Sequence, residues 1–298
     1  MTGVAAVIGN YQGERLLPDC LASLREQTQP PVEVIVADGG SADASVAVAE
    51  REGARVLRLR NDGLGFLYNR GAAAATADYV LFLNNDVALE PECIERLAAA
   101  LDDAPTAFAA DARQLDWSGE RTIHARTTLS RGGLFHEHFP GLHIDSVAPA
   151  EQTASTVCAN GAAMLVRRER HLQLGGFDEA FFMEWEDLDL CWRSWLHGWE
   201  TIFVPTASVR HRVGAATGDA ERSRRSASSR HNLLRFALKC LPVDAALRVV
   251  LGELMRLPRY PVAGSRGVAR VTFELPEIIR LRRRARPTRR VFDQLLSL

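Results

Sequence analysis

An apolar stretch of the sequence ends on two amides and a carboxylate. Residues 80–89 read VLFLNNDVAL, so a run typical of a buried strand stops at Asn84, Asn85 and Asp86. Turns and helix caps favour Asn and Asp, which is one interpretation of the motif. The other is a divalent-cation site, because Mg²⁺ is held by one or two protein carboxylates together with phosphate oxygens and water. The rest of the chain must decide between them.

Four acids crowd into six residues further along the chain. The segment EWEDLDL contains Glu184, Glu186, Asp187 and Asp189. Acids at a helix N-terminus interact favourably with the helix dipole, and capping accounts for part of the cluster. Four carboxylates exceed what capping needs, and neighbouring carboxylates raise one another's pKa, which suits a general base. The segment is therefore a candidate source of a catalytic base.

A regular alternation of strand and helix patterns must position these residues. Strands are predicted at residues 4–8, 32–40, 54–59 and 78–86. Between them lie helical patterns, such as the apolar spacing within residues 16–27, and Ser41 is a plausible cap of the second helix. Four βα units at this spacing predict an α/β fold with a mostly parallel sheet and right-handed crossovers.

Polar residues fall at the carboxyl ends of all four predicted strands. They are Asn10, Asp38, Asn61 with Asp62, and Asp86. Ligands of such sheets bind outside the carboxyl ends of the strands, so a nucleotide-type site is predicted there. A dinucleotide site is disfavoured, since strand one runs into GNYQGERLL without GxGxxG and GLGFLYNRG has Tyr68 at the third glycine position. A Walker A motif is absent too.

Composition sets the remaining limits. The 298 residues, 47% of them hydrophobic, suit one large α/β domain or a domain with a smaller appendage. Five dispersed cysteines without metal-binding spacing indicate a reduced, cytosolic setting. The N-terminal apolar run has no basic segment before it, so a secretory signal is not expected, and neither is a spanning helix.

The C-terminal part of the chain is basic and amphipathic. Residues 210–298 contain 20 basic and 7 acidic side chains, against 16 and 30 in the rest of the chain. Leu247, Val250, Leu251 and Leu254 share one helical face, and RLRRRARPTRR follows at residues 280–290. This pattern predicts peripheral contact with an anionic membrane; a helical lid packed on the body is the compatible alternative. Nucleic acid is disfavoured, because aromatic residues do not interleave with the arginines.

The middle of the chain, residues 105–155, is irregular. His136, His138 and His143 lie in RGGLFHEHFPGLH and could bind a metal. A mobile loop on the substrate side is the favoured interpretation.

Seven segments in unbroken order resemble the inverting, GT-A-fold glycosyltransferases of family 2. They are VIGNYQGERLLPDCLASLREQT, VEVIVADGGSAD, NDGLGFLYNRGAAAA, VLFLNNDVALEP, NGAAMLVRRE, GGFDEAFFMEWEDLDLCWR and VRHRVGAAT. The nearer resemblance is to the rhamnosyltransferase-like branch that builds bacterial surface polysaccharides. It implies a GT-A, Rossmann-like, mostly parallel sheet flanked by helices over residues 1–217, and a basic helical C-terminal region over residues 218–298.

The resemblance also assigns roles at the reacting centre. Asp86 matches the last carboxylate of the family's DxD-like motif and is implied as a ligand of Mg²⁺ or Mn²⁺, although Asn84 replaces the first Asp. His211 matches the histidine that closes on the metal or diphosphate, which favours Mn²⁺ slightly; a surface histidine is the alternative. Asp187 is implied as the general base, with Glu186 as second candidate or acceptor ligand.

The remaining assignments concern nucleotide and sugar. Those for the nucleotide are Asp38 at the pyrimidine edge, Asn10 and Tyr11 at the base and ribose, and Asn69 and Arg70 near the ribose and phosphates. Asn160 and Gly161 match the turn that lines the sugar pocket, and Trp185 could pack on a sugar face. Asp38 as a helix cap and Trp185 as a core residue remain open alternatives.

The resemblance therefore implies metal-dependent transfer of a sugar from a UDP- or dTDP-linked donor to a hydroxyl of a glycan or lipid-linked glycan. The expected location is the cytoplasm, including the inner face of the cell membrane. The alternative is a non-catalytic protein of the same fold that binds carbohydrate or a partner. Nucleotidyl transfer would need a glycine-rich basic loop after strand one, and GNYQGER is a poor match.

Overall fold

Residues 4–103 form the four βα units that the sequence predicts. A computed structural model describes residues 3–132, 142–214, 219–258 and 261–298. The first units are β1 (Val4–Asn10), α1 (Leu17–Arg25), β2 (Glu33–Asp38), α2 (Ser45–Arg51), β3 (Arg55–Arg58), α3 (Leu64–Ala74), β4 (Tyr79–Asn84), β5 (Val87–Leu89) and α4 (Cys93–Asp103).

The second half is built from shorter strands followed by helices. Its elements are β6 (Ala109–Leu115), β7 (Thr122–His124), β8 (Arg126–Arg131), β9 (Leu142–Ala148), β10 (Ala154–Thr156), β11 (Ala163–Arg167), α5 (Arg168–Gln173), α6 (Glu186–Leu196) and β12 (Thr201–His211). The C-terminal helices are α7 (Asp219–Cys240), α8 (Val243–Met255), α9 (Pro261–Ala285) and α10 (Arg289–Leu296).

The main sheet has a parallel half and a mixed half. Its strand order is β10-β12-β6-β11-β4-β1-β2-β3, and the four strands from β4 to β3 are parallel. Strand β11 runs antiparallel between β4 and β6. The predicted α/β fold with a flanked, GT-A-type sheet is confirmed, and the antiparallel insertion of β11 is the feature that the βα spacing did not indicate.

Strand register brings distant residues to one edge of the sheet. Asn10 lies opposite Asp38, and Gly9 lies opposite Asn84. Because β11 starts opposite Leu83, the turn before it reaches the same edge. Strand β12 pairs His211 with Val87, the residue after Asp86. The carboxyl edge of the sheet is therefore the place where a ligand would meet all these residues.

Both faces of the sheet are buried, as expected for strands covered by helices. Along β1, Val4, Ala6 and Ile8 point into a core shared with α1, α2 and α4. The alternate residues Ala5 and Val7 point into a second core, which includes residues of α3 and α6. The fold therefore holds the carboxyl ends of the strands rigidly between two packed layers.

The C-terminal helices pack on the sheet domain. Leu233 and Phe236 of α7 and Phe292 of α10 belong to the same core as Trp192 of α6. Arg235 of α7 is fully buried and pairs with Asp178 at 3.0 Å. These helices therefore share a core with the sheet. The division of the chain into two regions at residue 217 stays a prediction. Within the described ranges, no helix combines the length and apolarity that crossing a bilayer requires.

Ser41 is not the cap of α2, which begins at Ser45 without a side-chain cap; the Ser41 hydroxyl instead donates to Asp38 Oδ2 at 2.6 Å, because Asp38 organises the turn after β2. His136 and His138 lie outside the described residues, and His143 is exposed on β9.

Candidate active site

Two cavities meet at the N-terminus of α6. The strand-edge cavity, of about 350 Å³, is lined by residues that include Asn10, Tyr11, Asp86, Glu186 and His211. The helix-side cavity, of about 420 Å³, is lined by residues that include His124, Asn160, Trp185, Ser229 and Leu233. Glu184 and Asp187 line both cavities. The two cavities therefore adjoin at the residues where α6 begins.

Asp86 and His211 form a pair whose chemistry suits a divalent cation. Asp86 Oδ1 is buried without a hydrogen-bond partner and lies 3.2 Å from His211 Nε2. His211 Nδ1 lies 2.9 Å from Gln114 Oε1, which can only accept a hydrogen bond, so the ring proton is on Nδ1. Nε2, the nitrogen near Asp86, therefore carries a lone pair. Two electron-pair donors at this distance repel each other unless a proton or a cation lies between them.

The number of protein ligands also fits a hard cation. Among the residues that the structure describes, no cluster of three or more His, Cys, Asp or Glu side chains could hold a metal. Mg²⁺ and Mn²⁺ sites at phosphates use one or two protein ligands and complete their shell with phosphate oxygens and water. One carboxylate oxygen and one imidazole nitrogen are ligands of the kind that such a site uses, and the assignment of Asp86 and His211 as metal ligands stays a prediction.

Asp187 is held by backbone groups from two elements. Its Oδ2 accepts from the N–H of Gly161 at 3.1 Å, and its Oδ1 accepts from the N–H of Leu188 at 2.7 Å. Burial raises the pKa of Asp187, while those two N–H groups and His124 act to lower it. Burial, and next the Asp187 carboxylate, raise the pKa of Glu186, whose Oε2 has no hydrogen-bond partner. Raised carboxylate pKa values in a cleft are typical of general bases.

The residues just before this pair adopt an unusual backbone conformation. Glu184 and Trp185 have φ values of 66° and 75°, in the left-handed region. A left-handed non-glycine residue costs free energy and clusters at functional sites. Trp185 lines the helix-side cavity and its ring centroid lies 5.7 Å from that of Phe236, so its two predicted roles, sugar platform and core residue, are both compatible with its position.

The first predicted nucleotide residues form a hydrogen-bonded network. Asn85 Nδ2 donates to Asn10 Oδ1 at 2.7 Å, and Asn10 Nδ2 donates to Asp38 Oδ2 at 2.7 Å. Asp38 Oδ1 accepts from the N–H groups of Gly40 and Ser41. Asp38 thus organises the turn after β2, and its contact with a nucleotide stays a prediction. Tyr11 is 47% exposed at the strand-edge cavity, where its ring can stack on a base.

Asn69 and Arg70 are engaged elsewhere. Asn69 donates to the carbonyl oxygen of Phe177 at 2.9 Å, and Arg70 pairs with Glu179 at 2.9 Å. Neither residue lines the strand-edge or the helix-side cavity. They tie α3 to the segment before α6, and their predicted contact with the ribose and phosphates stays a prediction.

Asn160 and Gly161 reach the site through the turn before β11. Asn160 lines the helix-side cavity, and its Oδ1 accepts from the N–H of Ala162 at 2.9 Å. Gly161 holds Asp187 through its N–H. These contacts place the turn against the reacting centre, on the side of the helix-side cavity.

A buried Asp–His pair was missed from the sequence. Asp111 Oδ2 lies 2.8 Å from His124 Nε2, and Asp111 Oδ1 accepts from the N–H of Asn160 at 3.0 Å. Burial alone would lower the pKa of His124, but Asp111 and Asp187 raise it. The two residues belong to β6 and β7, which are paired antiparallel, and no local motif marks them. His124 of this pair lines the helix-side cavity, where it is a titratable group.

Sequence comparison identifies the family. The model described as "Glycosyl transferase family 2" matches residues 5–168, more than half of the chain. The chain belongs to glycosyl transferase family 2. This glycosyltransferase is 34% identical over 244 residues to the N-acetylglucosaminyl-diphospho-decaprenol L-rhamnosyltransferase of Mycobacterium tuberculosis, covering 73% of the chain and 79% of the relative. The rhamnosyltransferase-like branch predicted from the motifs is thereby confirmed.

Other relatives and structures agree with the fold. The pre-mycofactocin glycosyltransferase of Mycobacterium tuberculosis is 31% identical over 216 residues, covering 71% of this chain and 42% of the relative. The GalNAc-T7 structure with UDP, GalNAc and Mn²⁺ superposes with a TM-score of 0.64 at 16% identity, over 82% of this chain and 49% of that one. The mannosyltransferase PcManGT of Pyrobaculum calidifontis, in complex with GDP-Man and Mn²⁺, has a TM-score of 0.59 at 15% identity, over 92% and 75%.

The raised pKa of Glu186 predicts a pH-dependent stability effect. Some acids have a higher pKa in the folded than in the unfolded state. Such an acid destabilises the fold increasingly as the pH rises above the pKa that it has in the unfolded state. We expect Glu186→Gln to unfold at the same urea concentration as the parent near about pH 4, and at a higher concentration near about pH 9.

A control of opposite sign is available. Burial acts to raise the pKa of Glu33, but hydrogen bonds from Thr76 and Ala77 lower it overall, so Glu33→Gln should lose stability at neutral pH and match the parent in acid. Equal pH profiles for the two variants would contradict the electrostatic interpretation of Glu186.

Proposed function

We propose that this glycosyltransferase moves a sugar from a UDP- or dTDP-linked donor to a hydroxyl of a lipid-linked glycan, with inversion at the anomeric carbon. The donor occupies the strand-edge cavity and the acceptor the helix-side cavity. The observation that carries the proposal is the position of Asp187, whose side chain borders both cavities.

Asp187 acts as the general base in this proposal. Its carboxylate takes the proton of the acceptor hydroxyl as the oxygen forms a bond to the anomeric carbon, and the bond from that carbon to the diphosphate oxygen breaks. One base is enough for a single displacement, and attack from the opposite face inverts the centre. Gly161 and Leu188 hold the carboxylate through their N–H groups, so it is oriented before the acceptor binds. Glu186, beside it in the strand-edge cavity, is the second candidate for this role.

Asp86 and His211 would hold a Mg²⁺ or Mn²⁺ ion with the donor diphosphate. Such an ion, when bound, stabilises the negative charge that develops on the leaving phosphate. The unpartnered Asp86 Oδ1 and the Nε2 lone pair of His211 support this assignment. Gln114 keeps the imidazole in the tautomer that can bind a cation.

The acceptor class is proposed from the similar rhamnosyltransferase. That enzyme's name specifies an N-acetylglucosaminyl-diphospho-decaprenol acceptor and transfer of L-rhamnose. The helix-side cavity here combines polar Asn160 and Ser229 with apolar Ile144 and Leu233, which suits the hydroxyls and apolar faces of a sugar. Rhamnose from dTDP-rhamnose is accordingly the first donor to test.

We further propose that α8 docks on an anionic membrane. Val243, Leu247, Leu251 and Met255 are spaced four residues apart and are 63%, 60%, 52% and 50% exposed. The arginines Arg280, Arg283 and Arg284 of α9 are exposed as well. An apolar stripe combined with exposed arginines suits the interface of a bilayer with anionic headgroups, where a lipid-linked acceptor resides.

A non-catalytic protein of the same fold is the alternative. It would need no base that borders two cavities and no buried carboxylate oxygen without a hydrogen-bond partner. Transfer of labelled sugar from a panel of UDP- and dTDP-sugars to an N-acetylglucosaminyl diphospholipid separates the two. Donor binding without any transfer to any acceptor would favour the alternative.

Replacement of Asp187 tests the base. We expect Asp187→Asn to lower kcat by about 10²- to 10⁴-fold, the usual contribution of a general base. Binding of the nucleoside diphosphate, measured by calorimetric titration, should change little, because the amide keeps the shape of the side chain. Asp102→Asn, on α4 and away from both cavities, is the matched control. Equal rates for the parent and Asp187→Asn would exclude this role.

Removal of divalent cations tests the pair of Asp86 and His211. Dialysis against EDTA should abolish transfer, and Mn²⁺ should restore it. His211→Ala should need a higher Mn²⁺ concentration for half-maximal rate, whereas His197→Ala, an exposed histidine at the end of α6, should not. Full activity in EDTA would contradict the cation site.

Vesicle flotation tests the proposed membrane face. The parent should float with vesicles that contain phosphatidylglycerol and not with pure phosphatidylcholine vesicles. Leu247→Asp with Leu251→Asp should weaken binding at least roughly tenfold, since each buried leucine contributes about 1.5–3 kcal/mol. Leu172→Asp, at a leucine on α5 that is 45% exposed, should leave binding unchanged. Equal flotation of the parent and the double variant would contradict the assignment.

A further inference from the structure

A buried amide of α7 binds the last residues before α6. Asn232 is fully buried, and its Nδ2 donates to the carbonyl oxygens of Met183 at 2.8 Å and of Glu184 at 2.9 Å. These two oxygens precede the helix, whose first backbone bond runs from Asp189 N–H to the carbonyl of Trp185. A buried carbonyl group needs a hydrogen-bond partner, so Asn232 supplies what the helix cannot.

The amide of Asn232 is itself oriented by a chain of polar contacts. Its Oδ1 accepts from His231 Nδ1 at 2.8 Å, which fixes the NH₂ group toward the two carbonyls. His231 Nε2 lies 2.7 Å from Glu274 Oε2 on α9. Glu274 also accepts from the buried Arg235 at 2.9 Å. The C-terminal helices thus determine the direction of both hydrogen bonds to the segment before α6.

We propose that Asn232 is a positioning residue for Asp187. The inference rests on the proposed role of Asp187 as base. The two hydrogen bonds hold Met183 and Glu184 at the point where the backbone enters the left-handed region, and Asp187 lies three residues beyond Glu184. Without them the strained turn relaxes and the carboxylate leaves the line between the two cavities. A displacement of about 1 Å at a reacting group costs about 10²-fold in rate.

Asn232→Asp is the decisive variant, because it keeps the size of the side chain and removes both donations. We expect kcat to fall about 100-fold and the donor KM to change less, since Asn10 lies on β1 and Asp86 just after β4, although Met183 and Glu184 also line the strand-edge cavity. Gln27→Glu is the matched control. Gln27 is a buried amide that donates to the carbonyls of Ser23 and Glu90 at 3.1 and 2.9 Å, outside the lining of both cavities. Its kcat should match that of the parent, whatever its loss of stability.

Hydrogen exchange gives a readout that needs no activity. Peptides that span residues 182–190 should exchange at least about tenfold faster in Asn232→Asp than in the parent, and at the parent rate in Gln27→Glu. If Asn232→Asp does not fold, His231→Ala, which removes the group that orients the amide together with its contact to Glu274, should show the same two changes to a smaller degree.

The proposal is overturned by unchanged exchange of this segment, or by an equal fall of kcat in Asn232→Asp and Gln27→Glu. A parent that transfers no sugar contradicts the proposed function instead, and the exchange measurement then decides the positioning role alone.

Discussion

The active site depends on two consecutive left-handed residues, Glu184 and Trp185. Each non-glycine residue in this region costs about 1–3 kcal/mol, so surrounding contacts must over-determine the turn. On one side, the backbone of Phe182 packs on Gly63, where a Cβ atom would lie 2.4 Å from the Phe182 carbonyl oxygen. On the other side, α7 supplies hydrogen bonds and a ring contact. Because the turn is held, α6 begins at Glu186 and its first acids lie between the two cavities.

Basic side chains of the C-terminal helices form ion pairs with acidic side chains of the sheet domain. Arg235 and Lys239 of α7 both bind Asp178, and Lys239 lies 2.7 Å from Asp189. Part of the positive charge that suggested an anionic partner therefore neutralises buried acids of the sheet domain. In the described part of the chain, Glu186 and Asp187 have no such cation partner. Asp178 and Asp189 are paired with cations, whereas Glu186 and Asp187 stay available to take up a proton.

The residues at strand ends could be predicted from sequence, because the carboxyl ends of parallel strands lie at one edge. Asn10, Tyr11 and Asp86 reach the strand-edge cavity in this way. His124 could not be predicted, since β7 pairs antiparallel with β6, which lets its ring contact Asp111, and no spacing in the sequence indicates that pairing. The contacts of Asn232 could not be predicted for a related reason. The helical pattern of α7 indicates which face is apolar, and it does not indicate a buried amide that serves a segment some fifty residues earlier.

The two sides of the site are built by different kinds of contact. The segment that matches the family, residues 5–168, supplies the strand-edge residues through the geometry of successive βα units. Asp187 and His211 follow that segment; His211 reaches the site through the pairing of β12 with β5, and Asp187 is held there by the N–H of Gly161. Asn232 of α7 follows it too and acts on the residues before α6 through its two hydrogen bonds. Helix α7 also lines the helix-side cavity with Ser229 and Leu233. Helix α7 thus both lines the proposed acceptor cavity and binds the segment before Asp187, so the fit of the acceptor and the position of the proposed base depend on the same helix.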